Sequence, residues 1–210
     1  MRFLVTAGPT REPLDDVRFL ANASSGRMGF AIAEAAMALG HQVRLVHGPV
    51  AIHPPFGAEV VRIGTAEEMR EACLAAFPSC DAVFMTAAVA DYRPAHRVPG
   101  KMKKSATVLD LPLAPNPDIL AELGRSKAGQ TLVGFALEAE GGEENARRKL
   151  VLKRLDLIVL DSPAALGADV SDFRVLFADG RSEHHMSVSK DFLALWLVSA
   201  VVDARLSLDR

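Results

Sequence analysis

The sequence contains little cysteine, few aromatic residues and no long apolar run. Its two cysteines, Cys73 and Cys80, have no CxxC spacing, which argues against a disulfide framework and against a cysteine-based zinc or redox motif. We therefore expect a reducing, cytoplasmic setting. No segment approaches the roughly 18 consecutive apolar residues of a membrane span, and the N-terminal apolar run is too short for a signal peptide. These absences predict a protein that acts away from membranes.

An excess of either charge is also absent. The chain has 24 lysines and arginines against 26 aspartates and glutamates, a formal net charge of −2, so it lacks the basic footprint typical of nucleic-acid binding. His184 and His185 have no acidic or cysteine partners at metal-ligand spacing, so they do not indicate a metal site. Half of the residues are hydrophobic, which predicts one globular domain over residues 1–210.

Three familiar nucleotide-binding motifs are missing. No Gly-x-Gly-x-x-Gly follows the first predicted strand, and the second strand ends in His47 instead of the acid that holds an NAD ribose. Tyr92 is followed four residues later by His96, so the Tyr-x-x-x-Lys pair of short-chain reductases is absent. Segment 124–131 resembles a P-loop but has Gln130 at the lysine position. An NAD(P)-dependent reductase is therefore a disfavoured alternative.

Apolar runs and helical patterns alternate along the first half of the chain. A capping box from Thr65 to Glu68 predicts one helix start, Ser189 is the predicted N-cap of a closing helix, and Asp179-Gly180 predicts a hairpin turn. The predicted strands lie at 3–6, 42–47, 59–63, 82–86, 132–135, 157–160, 174–177 and 184–188. This alternation predicts a doubly wound, Rossmann-like α/β domain with a mainly parallel sheet.

The pattern changes near residues 92–115, where prolines and a glycine predict a loop-and-strand excursion that holds Lys101. Within this excursion we predict a strand over 107–113, outside the main sheet. A helix is predicted to follow, with Pro117 at its first position, a placement that proline favours.

The stretch Asn22–Gly29 is the strongest local indication of ligand binding. Ser24 or Ser25 is a candidate N-cap, and Gly26 and Gly29 remove side chains where a ligand or a strand comes close. A helix N-terminus of this kind suits a phosphate group. Taken alone, the stretch also fits an ordinary capped helix. Small and polar residues recur after other strands, at the sheet edge where ligands of such folds bind, and this predicts a site there.

Lysines cluster in two places that would flank this helix N-terminus. They are Lys101, Lys103 and Lys104 in the proline-bordered loop, and Lys149 and Lys153, four residues apart on one helix face. Each cluster alone is typical of a solvated surface. Together they indicate cations that hold a polyphosphate. Asp91, at a strand end, is either a solvated carboxylate or a group that orients substrate.

Six motifs then occur in an order that matches a known family. They are Thr6–Asp15, Asn22–Gly29, Ala87–Tyr92, Lys101–Lys104, Asn116–Leu120 and Val133–Ala136. On these motifs, which span most of the chain, it resembles phosphopantothenate–cysteine ligase, also called phosphopantothenoylcysteine synthetase, an enzyme of coenzyme A biosynthesis. In many bacteria this ligase is fused behind a flavin-dependent decarboxylase.

The resemblance implies a specific reaction. In its bacterial form the family uses CTP to activate the carboxylate of 4′-phosphopantothenate as an acyl-cytidylate and releases pyrophosphate. The amine of L-cysteine then forms the amide and releases CMP. The resemblance also implies a homodimer, Mg²⁺ with the nucleotide through ligands that the sequence does not identify, and no flavin in this chain.

The resemblance assigns roles residue by residue. Asn22 and Lys101 would be catalytic, with Lys101 closing over the reacting phosphate. The phosphopantothenate would be bound by Asn22, Ala87, Ala88, Asp91 and Arg18, the last from across a dimer interface because the sequence indicates no use for it within its own subunit. The nucleotide would contact Gly8, Ser24, Gly26, Gly29, Asp91, Lys101, Pro117, Asp118, Ile119, Leu120, Phe135, Lys149, Lys153 and Asp161.

Three positions depart from the family pattern. Arg27 stands where the family usually has lysine, Asp161 stands where many members have asparagine, and 137–139 differ from the common Ala-Glu-Thr. The acid at Asp161 lacks an amide donor, so a nucleotide-binding regulatory protein without turnover is a second alternative. Whether the chain is free-standing or one half of a fusion stays open.

Overall fold

A computed structural model describes residues 1–104, 108–137, 142–161 and 168–208. For residues 207 and 208 it describes only the backbone. Its strands are β1 Arg2–Ala7, β2 Arg11–Pro13, β3 Phe19–Ala21, β4 Gln42–His47, β5 Glu59–Arg62, β6 Ala82–Met85, β7 Tyr92–Pro94, β8 Leu113–Pro115, β9 Thr131–Leu137, β10 Leu157–Asp161, β11 Val170–Phe177 and β12 Ser182–Ser189. Its helices are α1 Arg27–Ala38, α2 Ala66–Ala76, α3 Ile119–Ser126, α4 Gly142–Leu152 and α5 Lys190–Leu208, and Phe77–Ser79 forms a 3₁₀ turn.

Eight strands form one sheet in the order β12-β11-β10-β9-β6-β1-β4-β5. The six strands from β10 to β5 are parallel, and β11 and β12 extend the sheet as an antiparallel hairpin. The predicted doubly wound α/β fold is confirmed. The chain runs outward in both directions from the β1–β6 pair, which makes this pair the topological switch point where such sheets bind ligands.

The sheet is buried on both faces, as the continuous apolar strands predict. Along β1, Phe3 and Val5 point into a core that α1 and α5 cover, whereas Leu4 points into a second core under α2, α3 and α4. Both cores therefore hold β1 in place, and the loops that follow its carboxyl end start from a rigid position.

Two helix starts were predicted correctly from their caps. The Thr65–Glu68 capping box forms with both of its hydrogen bonds and begins α2. The Ser189 hydroxyl accepts from the main-chain N–H of Phe192 at 3.1 Å at the start of α5. Both predictions depend only on local chemistry, which the sequence carries in full.

Two other helix starts were predicted wrongly. Gly26 is the N-cap of α1 and no side chain caps this helix; the Ser24 hydroxyl instead accepts from the N–H of Gly26, within the preceding loop. Asp118 caps α3 by accepting from the N–H of Ala121 at 3.0 Å, so Pro117 precedes the cap instead of occupying the first helical position. In both cases the loop geometry selected the cap among adjacent candidates.

The excursion near 92–115 lies outside the main sheet, as predicted, but its strands differ. β7 pairs antiparallel with β8 in a separate two-stranded sheet. The predicted strand over 107–113 is wrong for residues 108–112, and residue 107 lies outside the described residues. A further small hairpin, β2 with β3, forms between β1 and α1, where no strand was predicted. Among the described helices, none is both long and apolar enough to cross a membrane.

Candidate functional site

A cavity of about 710 Å³ lies at the switch point, beyond the carboxyl ends of β6 and β9 and against the N-terminus of α1. Most of the residues predicted from the sequence line it: Asn22, Ser24, Gly26, Gly29, Ala87, Ala88, Asp91, Pro117, Asp118, Ile119, Leu120, Phe135, Lys149, Lys153 and Asp161. Residues from four of the six motifs therefore meet at one cavity, and those that follow strands of the main sheet do so as their positions predict.

Three predicted residues are not among those that line the cavity: Gly8, Arg18 and Lys101. Gly8 lies directly behind the cavity wall, because a Cβ placed on Gly26 would come within 3.3 Å of the Gly8 main-chain nitrogen. Arg18 lies in the turn between β2 and β3, and Lys101 lies in the loop that is bonded to this turn; both are described below.

Two glycines shape the start of α1. Gly26 has φ +79°, a left-handed conformation that favours glycine, and as the N-cap it offers no side chain to the first turn of α1; the Ser25 hydroxyl accepts from the N–H of Arg27 alone, at 3.5 Å. A Cβ on Gly29 would lie 2.6 Å from the Ala7 Cβ and 2.8 Å from the Thr6 carbonyl oxygen. Glycine at this position therefore lets the helix begin against β1. The result is an uncapped helix N-terminus at the cavity, which suits an anion.

Two buried threonines hold the loop that follows β6, and sequence reasoning missed both. The Thr6 hydroxyl accepts from the N–H of Ala87 at 3.2 Å, and the Thr10 hydroxyl accepts from the N–H of Ala90 at 3.0 Å. Neither threonine is exposed to solvent. A threonine directly after a buried strand is the only signal that the sequence offers for this role.

Two asparagine side chains hold the same loop from the cavity side. The Asn22 amide donates to the carbonyl oxygens of Ala88 and Val89, at 3.3 and 3.1 Å. The Asn116 amide donates to the carbonyl oxygen of Ala90 at 2.8 Å. Asn116 lines the cavity and was not predicted, although it lies inside one of the six motifs. The loop therefore presents a fixed main chain to a ligand.

Four cationic side chains and three carboxylates line the cavity: Arg27, Lys149, Lys153 and Lys190, with Asp91, Asp118 and Asp161. The Lys153 ammonium pairs with the Asp118 carboxylate at 2.8 Å, which ties α4 to the cap of α3. Lys190, the first residue of α5, was missed by sequence reasoning, and its ammonium donates to the Ala168 carbonyl oxygen.

Two of the three departures from the family pattern have partners in this structure. The Arg27 guanidinium pairs with the Asp169 carboxylate on the surface. The Asp161 carboxylate accepts from the Ser171 hydroxyl at 3.1 Å, which fixes its orientation at the end of β10. Of the third departure, residue 137 ends β9, and residues 138 and 139 lie outside the described residues.

The expectation that Arg18 has no use within its own subunit is wrong. Its guanidinium donates to the Asp15 carboxylate and, at 2.6 Å, to the Met102 carbonyl oxygen. Burial raises the pKa of Asp15, but hydrogen bonds from the Arg18 guanidinium and from the N–H groups of Arg18, Val17 and Met102 outweigh it. The net result is a pKa well below the ordinary value, so this carboxylate is ionised.

Comparison with known proteins gives the family. Residues 1–204 match the family described as "DNA/pantothenate metabolism flavoprotein C-terminal domain". The chain is 45% identical over 192 residues to the coenzyme A biosynthesis bifunctional protein CoaBC of Bacillus subtilis, a match that covers 89% of this chain and 47% of that protein. The chain thus spans about half the length of the curated relatives that it matches.

Solved structures agree with this fold. A crystal structure of the C-terminal domain of a CoaBC protein superposes with a TM-score of 0.85 and 37% identity, over 98% of this chain and 95% of that one. A Cab2 mutant in complex with phosphopantothenate-cysteine superposes with a TM-score of 0.82 at 18% identity, over 99% of this chain and 88% of that one, which shows a shared fold. The chain belongs to the family of DNA/pantothenate metabolism flavoprotein C-terminal domains.

Proposed function

We propose that residues 1–210 form one phosphopantothenate–cysteine ligase domain of coenzyme A biosynthesis. It would activate the carboxylate of 4′-phosphopantothenate with CTP, release pyrophosphate, and then join the acyl group to the amine of L-cysteine with release of CMP. Membership of the family and the 45% identity to a CoaBC protein support this reaction. The Cab2 complex supports the substrates, since a protein with the same fold binds phosphopantothenate-cysteine.

The observation that carries the proposal is the composition of the cavity at the switch point. An uncapped helix N-terminus lies on one side of it, and Lys149 on α4 and Lys153, directly after α4, also line it. Polyphosphate binding needs both features, because main-chain N–H groups and ammonium groups stabilise the charge that develops on the reacting phosphate. The small side chains of Ala87 and Ala88 leave room for a second substrate beside the nucleotide.

In the proposed mechanism, the fixed loop after β6 binds phosphopantothenate and the start of α1 binds the nucleotide. Asn22 lies between them and would orient the acyl-cytidylate through its amide. Lys101 would neutralise charge on the phosphate as the carboxylate attacks it, which is electrostatic stabilisation of the transition state. Phe135 and the Pro117–Leu120 segment would bound the nucleotide base.

Magnesium would accompany the triphosphate. Mg²⁺ prefers oxygen ligands and is commonly held by one or two carboxylates together with substrate phosphates. Asp91 and Asp161 are carboxylates that line the cavity, so the residues present fit this ion. In the described part of the chain, no three histidine, cysteine, aspartate or glutamate side chains group as a metal site. The ion would supply charge neutralisation of the phosphates.

The test is pyrophosphate release by the protein with 4′-phosphopantothenate and CTP, with and without cysteine, and with ATP in place of CTP. We expect release that requires phosphopantothenate and CTP, and an amide product with CMP once cysteine is added. CTP binding without pyrophosphate release would contradict the proposal and favour the regulatory alternative. NAD(P)H binding would instead favour the reductase.

We further propose that the protein acts as a cytoplasmic homodimer, with Arg18 near the neighbouring subunit's substrate. The Arg18 side chain is 44% exposed, so part of its guanidinium remains accessible beyond its internal contacts. Light scattering on purified protein should give twice the 22.5 kDa chain mass. A monomer that retains full activity would contradict this assignment.

A further inference from the structure

The loop that carries Lys101 is bonded to the turn between β2 and β3 on both sides of that lysine. On the N-terminal side, the N–H of Gly100 donates to the Asp16 carboxylate at 2.9 Å, and the N–H of Asp16 donates to the Gly100 carbonyl oxygen at 3.1 Å. On the C-terminal side, the N–H of Met102 donates to the Asp15 carboxylate at 3.1 Å. The two residues that flank Lys101 are therefore both held.

The two attachments differ in burial. The Asp15 side chain is 0% exposed, and it also accepts from the N–H groups of Val17 and Arg18, at 2.8 and 2.7 Å. The Asp16 side chain is 52% exposed, and its second partner is the exposed guanidinium of Arg97. Water competes for the Asp16 contacts but not for those of Asp15, so Asp15 makes the stronger attachment.

We propose that Asp15 is a positioning residue for the ligase reaction: it fixes the main chain beside Lys101 and, through the same carboxylate, orients Arg18. This proposal rests on the proposed function, in which Lys101 acts on the reacting phosphate. Asp15 itself is absent from the residues that line the cavity, so it acts through the two residues that it holds. A displacement of about 1 Å in a reacting group costs roughly 100-fold in rate, which makes such an attachment important for turnover.

Asp15→Asn tests the proposal with almost no change in shape. An asparagine oxygen still accepts from the N–H groups of Val17 and Arg18. Its NH₂ group, however, replaces the oxygen that accepts from Arg18 and Met102, so donors then face donors. The substitution therefore breaks the connection to Met102 and keeps the turn.

The kinetic measurement is a double-mutant cycle with Lys101→Gln. We expect Asp15→Asn to lower kcat roughly 10- to 100-fold with little change in the KM for CTP. In the Lys101→Gln background the same substitution should lower kcat less than about twofold, because the group that it positions is already gone. An equal loss in both backgrounds, or no loss in either, would overturn the proposal.

A second variant keeps the proposal testable if Asp15→Asn folds poorly. Asp16→Ala removes a half-exposed carboxylate and frees Gly100, and we expect a loss of about threefold in kcat that also disappears in the Lys101→Gln background. Asp110→Asn, at an exposed aspartate of the same excursion, is the matched control and should retain wild-type kcat. A loss in the control as large as that in Asp16→Ala would overturn the specific role of the turn.

Trypsin cleavage after Lys101, Lys103 and Lys104 tests the attachment without reference to activity. We expect Asp15→Asn to be cleaved there about tenfold faster than wild type and Asp110→Asn, with unchanged circular dichroism. Equal cleavage rates would overturn the attachment even in an active enzyme. Wild-type protein that releases no pyrophosphate, but shows the expected cleavage difference, would instead overturn the proposed function and leave Asp15 as the anchor of the loop.

Discussion

The loop over 87–91 and the loop over 100–104 both carry residues expected to contact substrate, but they are held in different ways. The first is held by the buried hydroxyls of Thr6 and Thr10 at the end of the central strand. The second is held by one buried carboxylate, Asp15, and by half-exposed partners at the surface. The first loop is therefore tied to the core by buried hydrogen bonds, whereas we expect the second to open without unfolding of the domain.

The largest effect should come from the surface loop and should leave the fold unchanged. We expect Lys101→Gln to lower kcat by about 100- to 1,000-fold, because it removes a charge that stabilises the transition state. Thermal unfolding should not change, since Lys101 is exposed. Lys103→Gln removes the same charge from an exposed lysine of the same loop, and we expect this matched comparison to lower kcat by less than about threefold. Similar losses in both variants would show that only the general charge of this loop matters.

The next prediction concerns the loop over 87–91, where we expect loss of one buried hydrogen bond to lower the stability of the protein. Thr10→Val keeps the shape of a side chain with no solvent exposure and removes the oxygen that accepts from the N–H of Ala90. We expect a loss of about 1–3 kcal/mol in the free energy of unfolding, because a buried N–H is left without a partner. Urea denaturation measures it. Ser79→Ala removes the hydroxyl of an exposed residue whose hydrogen bond to the Ala76 carbonyl oxygen water can replace, and it should change stability by less than about 0.5 kcal/mol; equal effects would contradict the comparison.

The smallest effect is expected for the chemical reactivity of Cys73 and Cys80, neither of which lines the cavity. Burial raises the pKa of the Cys73 thiol to about 12. Burial and, secondarily, the Asp81 charge raise the pKa of Cys80 to about 11. A raised pKa lowers the thiolate fraction at pH 8, so iodoacetamide should react slowly with the native protein and rapidly in urea. Fast alkylation of the native protein would show that the core around these cysteines opens readily.

The sequence predicted the site better than it predicted the individual contacts. Ala87, Phe135 and Asp161 are far apart in the chain, and their common location followed from one rule about the carboxyl ends of parallel strands. Thr6 and Thr10 were missed because a threonine at a strand end has many ordinary uses. Arg18 was misjudged because its partners, Asp15 and Met102, are brought together only by the folded loop.

By itself, the sequence determined the alternation of strands and helices, the position of the cavity after those strands, and the local caps at Thr65 and Ser189. These features depend on hydrophobic periodicity and on neighbouring residues, which the sequence shows directly. The tertiary structure alone decided that Gly26, instead of a serine, begins α1, and that Asp15 holds the loop of Lys101. Both outcomes depend on main-chain positions of segments distant in sequence, where burial makes one contact stronger than its local competitors.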